Sequence, residues 1–165
     1  MGLPEERPPG LDSPWTARLI KYGAKAQVAV FKATGGRVGN TWRIGSGWRR
    51  PVPTLLLHHV GRKSGTAFTT PLLYLADGDG PDADLVVVAS QGGLPKNPQW
   101  FHNVMAAPAC AVSLPRRREV PVLAHQATPA EKERLWPLLV DLYADFATYQ
   151  QWTDRDIPVV VLSPR

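Results

Sequence analysis

Residues 55–75 read LLLHHVGRKSGTAFTTPLLYL, and this stretch decides the fold. Two apolar runs flank the segment GRKSG at Gly61–Gly65, a pattern that predicts two antiparallel strands joined by a hairpin turn. The turn carries two cations and a hydroxyl between its glycines. It is therefore either a solvated hairpin tip or a concave site for an anion, and turn chemistry alone leaves both readings open.

The rest of the chain predicts further strands separated by short turns or single helices. Strands are expected at 54–60, 68–76, 85–89, 110–114, 120–126 and 157–162, and helices at 13–34, at 98–106 and from 129 through Tyr143, Phe146 and Tyr149. Connections of hairpin length favour antiparallel pairing over a doubly wound sheet. The predicted fold is α+β, a small and mostly antiparallel β-barrel with helices packed outside it or across its ends.

Local signals set the limits of these elements. Asp12 or Ser13 is the expected N-cap of the first helix, and Asn97 that of the second. The proline-rich segment 1–12 is predicted to be a disordered tail before one domain at 13–165. Between Gly35 and Pro53 we expect an ordered wrap that buries Trp42, Ile44 and Trp48.

Composition restricts the functional classes. The net charge of +5 and the pI of about 9.7 favour an anionic partner. The single cysteine, Cys110, excludes an internal disulfide. Neither a secretory signal nor an apolar run of about 20 residues is visible, so a cytoplasmic protein is expected.

A second candidate binding segment is ASQGGLPKN at residues 89–97, between a strand and a helix. Its paired glycines let the backbone approach a ligand closely, although they also serve a simple connection. His58 and His59 are adjacent on a strand, so they point to opposite faces and one of them should face the barrel interior. Histidine and cysteine spacings predict no metal site, and no nucleophile elbow, P-loop or Rossmann fingerprint is present.

Three blocks of sequence, in order, resemble the deazaflavin-dependent nitroreductase family, reductases that use coenzyme F420. The blocks are GRKSG with TTPLLYL, VVVASQGGLPKNPQWFHNVMAAP, and LWPLLVDLYADFATYQQWTDRDIPVVVLSP. The resemblance implies a split β-barrel that transfers a hydride from reduced coenzyme F420 to a quinone, an activated alkene or a nitroaromatic. FMN is the alternative cofactor.

The resemblance also implies site residues. The turn would meet the cofactor's phosphate and tail, and the second loop its ring system, which gives the cofactor-binding set His58, Arg62, Lys63, Ser64, Gly65, Thr66, Ala67, Ala89, Ser90, Gln91, Gly92, Gly93, Lys96, Asn97, Pro98 and Trp100. Tyr143, Phe146 and Tyr149 would contact the substrate, and Ser90, Tyr143 and Tyr149 would be the catalytic donors. Several positions depart from the family pattern. Phe68 stands where an arginine is frequent, His58 and His59 stand where small hydroxyl residues are common, and Gln91, Met105 and Phe146 differ from the usual residues.

Other functional classes remain open at this point. The barrel could carry a flavin or deazaflavin without turnover, or attach to an anionic membrane or nucleic acid through basic surfaces. Nucleic acid is disfavoured because the tryptophans lie mainly in loops and helices. The helix at 13–34 has an apolar side beside a basic one, so it either packs on the barrel or contacts the inner face of the cell membrane. A homodimer is a further expectation.

Overall fold

The computed structural model describes residues 4, 6–10, 13–48 and 50–165. In this part of the chain the helices are α1 (Pro14–Thr34), α2 (Gln99–Ala106), α3 (Pro129–Leu142) and α4 (Asp145–Gln151). The strands are β1 (Thr41–Trp42), β2 (Val52–Val60), β3 (Ala67–Asp77), β4 (Asp84–Val88), β5 (Ala109–Leu114), β6 (Arg117–Gln126) and β7 (Val159–Pro164).

Six of these strands close into an antiparallel barrel. The order is β2-β3-β4-β7-β6-β5, and β5 pairs back onto β2 through Leu56↔Ser113 and Leu57↔Val112. Closure removes the exposed edges of the sheet. The predicted α+β barrel with mainly antiparallel pairing is confirmed.

Alternation along the strands produces two hydrophobic cores. Leu55 and Leu57 point to the same core as the α2 side chains Trp100, Phe101 and Val104. Val86, Val88, Val159 and Val161 point the other way, into a core that α3 and α4 complete with Leu135, Leu139, Tyr143 and Phe146. Both faces of β4 and β7 are therefore covered, which explains their continuous valine runs.

Helix α1 begins and ends as predicted. The Ser13 side chain accepts a hydrogen bond from the Thr16 amide at 3.2 Å, and Gly35 ends the helix in the left-handed conformation. The alternative cap Asp12 and residues 1–3, 5 and 11 of the predicted tail lie outside the described residues. Of the α1 residues, all of which the structure describes, only Phe31 is buried. The helix thus packs on the barrel near its C-terminal end.

Three local predictions were wrong. Asn97 does not cap α2, because Pro98 occupies the N-cap and the Asn97 side chain binds elsewhere. The expected helix through the aromatics divides at Tyr143, whose backbone is extended, so Tyr143 lies between α3 and α4 and Tyr149 lies in α4. Ile44 and Trp48 are 64% and 75% exposed, so the wrap does not bury them. In addition, β6 begins at Arg117 rather than near residue 120, since only Pro115 and Arg116 form the turn between β5 and β6.

Candidate active site

The turn between β2 and β3 closes on itself. The Gly65 amide donates to the Gly61 carbonyl and the Gly61 amide to the Thr66 carbonyl, each at 2.8 Å. A Cβ on Gly61 would lie 2.6 Å from Ser64 Oγ and 2.9 Å from the Phe68 ring, so a larger residue here would force these side chains to move. Arg62, Lys63 and Ser64 are exposed at the tip. We call residues Gly61–Thr66 the basic turn.

A cavity of about 410 Å³ lies beside the basic turn. Its described lining comes from the turn, from the adjoining strands and from the first residues of α2: His59, Gly61, Arg62, Lys63, Ser64, Phe68, Thr69, Thr70, Gln99, Trp100 and Asn103. None of these residues is acidic. The cavity therefore combines two cations with hydroxyl, amide and aromatic groups, a set suited to an anionic ligand with organic parts.

Asn103 ties the basic turn to α2 and to β2. Its Oδ1 accepts a hydrogen bond from the Arg62 amide at 3.1 Å, and its Nδ2 lies 3.1 Å from His59 Nδ1. A backbone amide can only donate, so Asn103 Oδ1 must accept and Nδ2 must donate to an unprotonated His59 Nδ1. His59 Nε2 then donates to Thr70 Oγ1 at 2.9 Å.

This network requires a neutral His59. Burial lowers the pKa of His59, and the nearby His58 lowers it further. The same ring stacks on Phe68, with centroids 5.7 Å apart and planes 22° apart. Phe68, which stands where the family often has an arginine, thus presents an apolar face to the cavity.

His58 lies on the opposite face of β2 from His59. Its ring nitrogens lie 2.8 Å from Ser113 Oγ and 3.1 Å from Thr69 Oγ1. The predicted inward-facing histidine is therefore His59, which shares its face of the strand with Leu55 and Leu57. The register of β2 in the barrel determines which of the two histidines faces inward. The sequence shows only that they are adjacent, which does not determine it.

The loop between β4 and α2 contains the second group of predicted residues. Gln91, Gly92 and Gly93 all have positive φ values, of 46°, 62° and 73°. A Cβ on Gly93 would lie 2.8 Å from the Tyr149 carbonyl, so this loop packs closely on α4. We call residues Ala89–Pro98 the glycine loop.

Arg155 fastens the glycine loop from the other end of the chain. Its guanidinium donates to Ser90 O at 2.7 Å, to Ala89 O at 3.2 Å, to Leu94 O at 2.8 Å and to Asn97 Oδ1 at 2.6 Å. Asn97 thus binds a side chain rather than capping α2. Sequence reasoning missed Arg155 because it lies 65 residues from Ser90 and shares no local motif with it.

The three predicted substrate residues cluster beside the glycine loop. The Tyr143 ring lies 5.1 Å from Phe146 and 6.3 Å from Tyr149, centroid to centroid. Tyr143 is only 3% exposed, whereas Tyr149 is partly exposed. The two hydroxyls are 3.4 Å apart, and burial raises the pKa of both.

A short segment, Trp42–Trp48, lies across this cluster. Trp42 Nε1 donates to the Tyr143 hydroxyl at 3.4 Å, and the Ser46 amide donates to the buried Asp145 carboxylate at 2.9 Å. A Cβ on Gly45 would overlap that carboxylate. The segment and the α3–α4 junction therefore fit each other closely, and Tyr143 is covered while Tyr149 remains nearer to solvent.

The sequence of this chain is similar to those of known proteins. A sequence profile of the family described as F420H(2)-dependent quinone reductase matches residues 23–164, nearly the whole described domain. The chain belongs to the F420H(2)-dependent quinone reductase family. It is therefore an oxidoreductase, and its cofactor is coenzyme F420. The suspected deazaflavin-dependent family and the enzyme class are confirmed.

Two relatives from Mycobacterium tuberculosis agree with this family. One, provisionally named an F420H(2)-dependent quinone reductase, is 48% identical over 123 residues, 74% of this chain and 99% of the relative. Another, named an F420H(2)-dependent quinone reductase, is 37% identical over 139 residues, 83% of this chain and 87% of the relative.

Solved structures support the same fold. One described as an F420-H2 dependent reductase is 35% identical, with a TM-score of 0.58 over 67% of this chain and 94% of that one. Another, described as a domain-swapped dimer, has the same identity and TM-score and covers 67% of this chain and 80% of that one. The split barrel predicted from the family resemblance is confirmed.

Proposed function

We propose that this reductase transfers a hydride from reduced coenzyme F420 to a quinone, with activated alkenes and nitroaromatics as further acceptors. The observation that carries the proposal is the cavity in which Arg62, Lys63 and Ser64 meet the N-terminal end of α2. Because α2 continues directly from the glycine loop, one cofactor can contact both segments. When bound, the reduced deazaflavin supplies the hydride. The chain's residues bind and orient the cofactor and the acceptor, and they donate a proton to the acceptor.

The residues of the basic turn fit a phosphate-bearing cofactor. In our assignment the Arg62 fork and the Lys63 ammonium bind phosphate or tail oxygens, and the Ser64 hydroxyl and the backbone from Gly65 to Ala67 complete that end. The absence of acidic side chains from the described lining supports this assignment. We add His59 and Asn103 to the predicted set because they hold the turn in place.

The glycine loop is assigned to the ring system of the cofactor. Gln91, Gly92 and Gly93 bring backbone close to a flat ligand, and Ser90 adds a hydroxyl. Lys96, Asn97, Pro98 and Trp100 continue this surface into α2. Trp100 is buried but lines the cavity, so it connects the two halves of the assigned site.

Tyr149 and Tyr143 are assigned to the acceptor. Because burial raises the pKa of both phenols, each keeps its proton at neutral pH and acts as a hydrogen-bond donor. Tyr149 is the better placed of the two to meet the acceptor, since Tyr143 is covered by the Trp42–Trp48 segment. Tyr143 would then hold the Tyr149 hydroxyl in position, with Phe146 packed between the rings and Ser90 as a further donor.

The first experiment is a titration of the protein with oxidised coenzyme F420, followed by turnover of reduced F420 with menadione. We expect binding of F420 in preference to FMN, and Lys63→Ala should weaken F420 binding about tenfold because a charge-assisted hydrogen bond is lost. Lys25→Ala, an exposed α1 cation distant from the cavity lining, is the matched control. Unchanged affinity in Lys63→Ala would refute the phosphate assignment, and binding without turnover would favour the carrier reading.

We also propose that α1 contacts an anionic membrane surface, where quinones are concentrated. Trp15, Leu19 and Tyr22 are 74%, 70% and 68% exposed, and the cations Arg18 and Lys21 lie on the same half of the helix. In the described part of the chain, no helix has the length and hydrophobicity needed to cross a bilayer. The contact would be peripheral.

Vesicle sedimentation tests the membrane contact. We expect binding to phosphatidylglycerol vesicles, and a loss of that binding in the double variant Trp15→Ser, Leu19→Ser. Val38→Ser, an exposed apolar position outside α1, should bind as the wild type does. Equal sedimentation of both variants would remove α1 from the proposal. The homodimer stays a prediction, which light scattering would check.

A further inference from the structure

Arg155 occupies an unusual position for a charged side chain. It is partly buried between α4 and β7, and its four hydrogen bonds to described residues go to three backbone carbonyls and one side-chain amide oxygen. The neighbouring Asp156 carboxylate pairs with Lys132 instead. The guanidinium is thus compensated by neutral dipoles, although burial of a cation is costly without a carboxylate partner.

These bonds bridge both ends of the glycine loop. Ala89 O and Ser90 O lie before the three positive-φ residues, and Leu94 O and Asn97 Oδ1 lie after them. Gly92 and Gly93 adopt positive φ readily, and the Gly93 and Leu94 amides donate to the Ser90 and Gln91 carbonyls within the loop, but Gln91 has a Cβ and is strained in this conformation. Arg155 therefore ties the two sides of the strained position together from outside the loop.

Arg155 is itself held by its own segment. Gln150 Nε2 donates to Arg155 O at 2.8 Å, and Gln150 Oε1 accepts from the Ile157 amide at 2.9 Å. These bonds connect the clamp to α4, whose Tyr149 carbonyl contacts Gly93. The glycine loop, α4 and the segment before β7 thus form one hydrogen-bonded unit.

We propose that Arg155 is a positioning residue that holds the glycine loop in the form that binds the deazaflavin ring. This inference rests on the proposed function, which assigns the ring to that loop. The planar guanidinium reaches four acceptors in different directions, so a lysine, with one ammonium group, cannot replace it. The effect of Arg155 is confined to the ring end of the cofactor and leaves the phosphate end to the basic turn.

The test compares Arg155→Ala and Arg155→Lys with Arg134→Ala, an arginine whose partner is Asp77. Two probes separate the ends of the cofactor: intact coenzyme F420 and its deazariboflavin core, which lacks the phosphate and the tail. We expect both Arg155 variants to bind both probes with roughly ten- to a hundredfold lower affinity, since the geometry of the loop controls the placement of the ring. Lys63→Ala should lower the affinity for intact F420 alone, and Arg134→Ala should leave the affinity for both probes unchanged.

Two readouts distinguish positioning from general loss of structure. Methylguanidinium should restore ring binding to Arg155→Ala but not to Arg155→Lys, whose side chain still fills the site. Hydrogen exchange of cofactor-free protein should accelerate at residues 90–98 in both variants and stay unchanged in the barrel strands. If Arg155→Ala does not fold, Arg155→Lys carries the same test.

The outcomes separate this inference from the proposed function. Failure of wild-type protein to bind F420 would overturn the proposed function and the cofactor role inferred from it. Normal wild-type binding, with unchanged affinity for the deazariboflavin core in the Arg155 variants, would overturn the role of Arg155 alone. Weaker binding of that core, with faster hydrogen exchange in the loop and rescue by methylguanidinium, would support it.

Discussion

The basic turn and the glycine loop are both short connections next to the barrel, but different parts of the chain hold them. The basic turn closes through bonds among its own residues, from Gly65 to Gly61 and from Gly61 to Thr66. The glycine loop also has backbone bonds of its own, from Gly93 to Ser90 and from Leu94 to Gln91, but its two ends are joined by Arg155, more than fifty residues away. Local sequence therefore predicts the conformation of a turn that its own backbone closes. It does not predict the conformation of a loop that a distant residue holds.

The two connections also differ in the charge of their anchors. Asn103 and a neutral His59 hold the basic turn, so its anchor responds to pH. The guanidinium that holds the glycine loop stays charged throughout the accessible pH range. The basic turn thus depends on a neutral network, and the glycine loop depends on a partly buried cation.

The largest expected effect is on the glycine loop. Gly93→Ala should lower the free energy of unfolding by about 3 kcal/mol, because its Cβ would meet the Tyr149 carbonyl at 2.8 Å in a left-handed backbone. Gly92→Ala, at φ +62° with open space around it, is the matched control and should cost about 1 kcal/mol. Chemical denaturation measures both variants. If both variants lost the same free energy of unfolding, contact with α4 would not constrain the loop.

The next effect concerns the anchor of the basic turn. Asn103→Asp keeps an acceptor for the Arg62 amide but turns a carboxylate oxygen toward His59 Nδ1, which must then carry a proton. The adjacent negative charge favours the imidazolium form, so the pKa of His59 should rise. NMR titration of the histidines measures that shift, and each unit of it corresponds to about 1.4 kcal/mol. An unshifted His59 would contradict the tautomer assigned to the network.

The same variant should change the pH dependence of stability. In the wild type the folded pKa of His59 lies below its unfolded value, so on acidification the unfolded state takes up protons first. The free energy of unfolding should therefore fall as pH decreases through the range from 7 to 5.5. In Asn103→Asp the fall should be smaller. Denaturation at both pH values, with His58 intact in both proteins, isolates the contribution of His59.

The smallest expected effect is a local one. Ser64→Ala removes the hydroxyl that accepts the Thr66 amide at 3.2 Å in the exposed turn, and it should cost about 0.5–1 kcal/mol. Thr66→Ala, which keeps the same amide, is the control and should be nearly neutral. A loss above about 2 kcal/mol for Ser64→Ala would show that the turn does not depend mainly on its own backbone bonds.

The sequence predicted the elements whose pattern is local. Alternating apolar strands, the hairpin at Gly61–Gly65 and the capping signal at Ser13 all depend on neighbours within a few residues, and the structure has them. The family resemblance added the cofactor and the barrel type. The Asn97 prediction was wrong because a distant arginine competes for the same side chain that would have capped α2.

Other features were decided only when separate segments met. The expected continuous helix breaks at Tyr143, in the segment where Tyr143 and Asp145 accept hydrogen bonds from Trp42 and Ser46, about 100 residues earlier. Which histidine faces the cavity depends on the register of β2 in the closed barrel. The contacts of Asn103 with the basic turn and of Arg155 with the glycine loop likewise form only when distant segments pack together.

By itself, then, the sequence determined the strands, the turn that carries the charge and the family to which the chain belongs. The tertiary structure decided which residues hold the site in place. The physical reason is the range of the interactions: backbone periodicity and turn closure act over a few residues, whereas buried hydrogen bonds form between any polar groups that packing brings together.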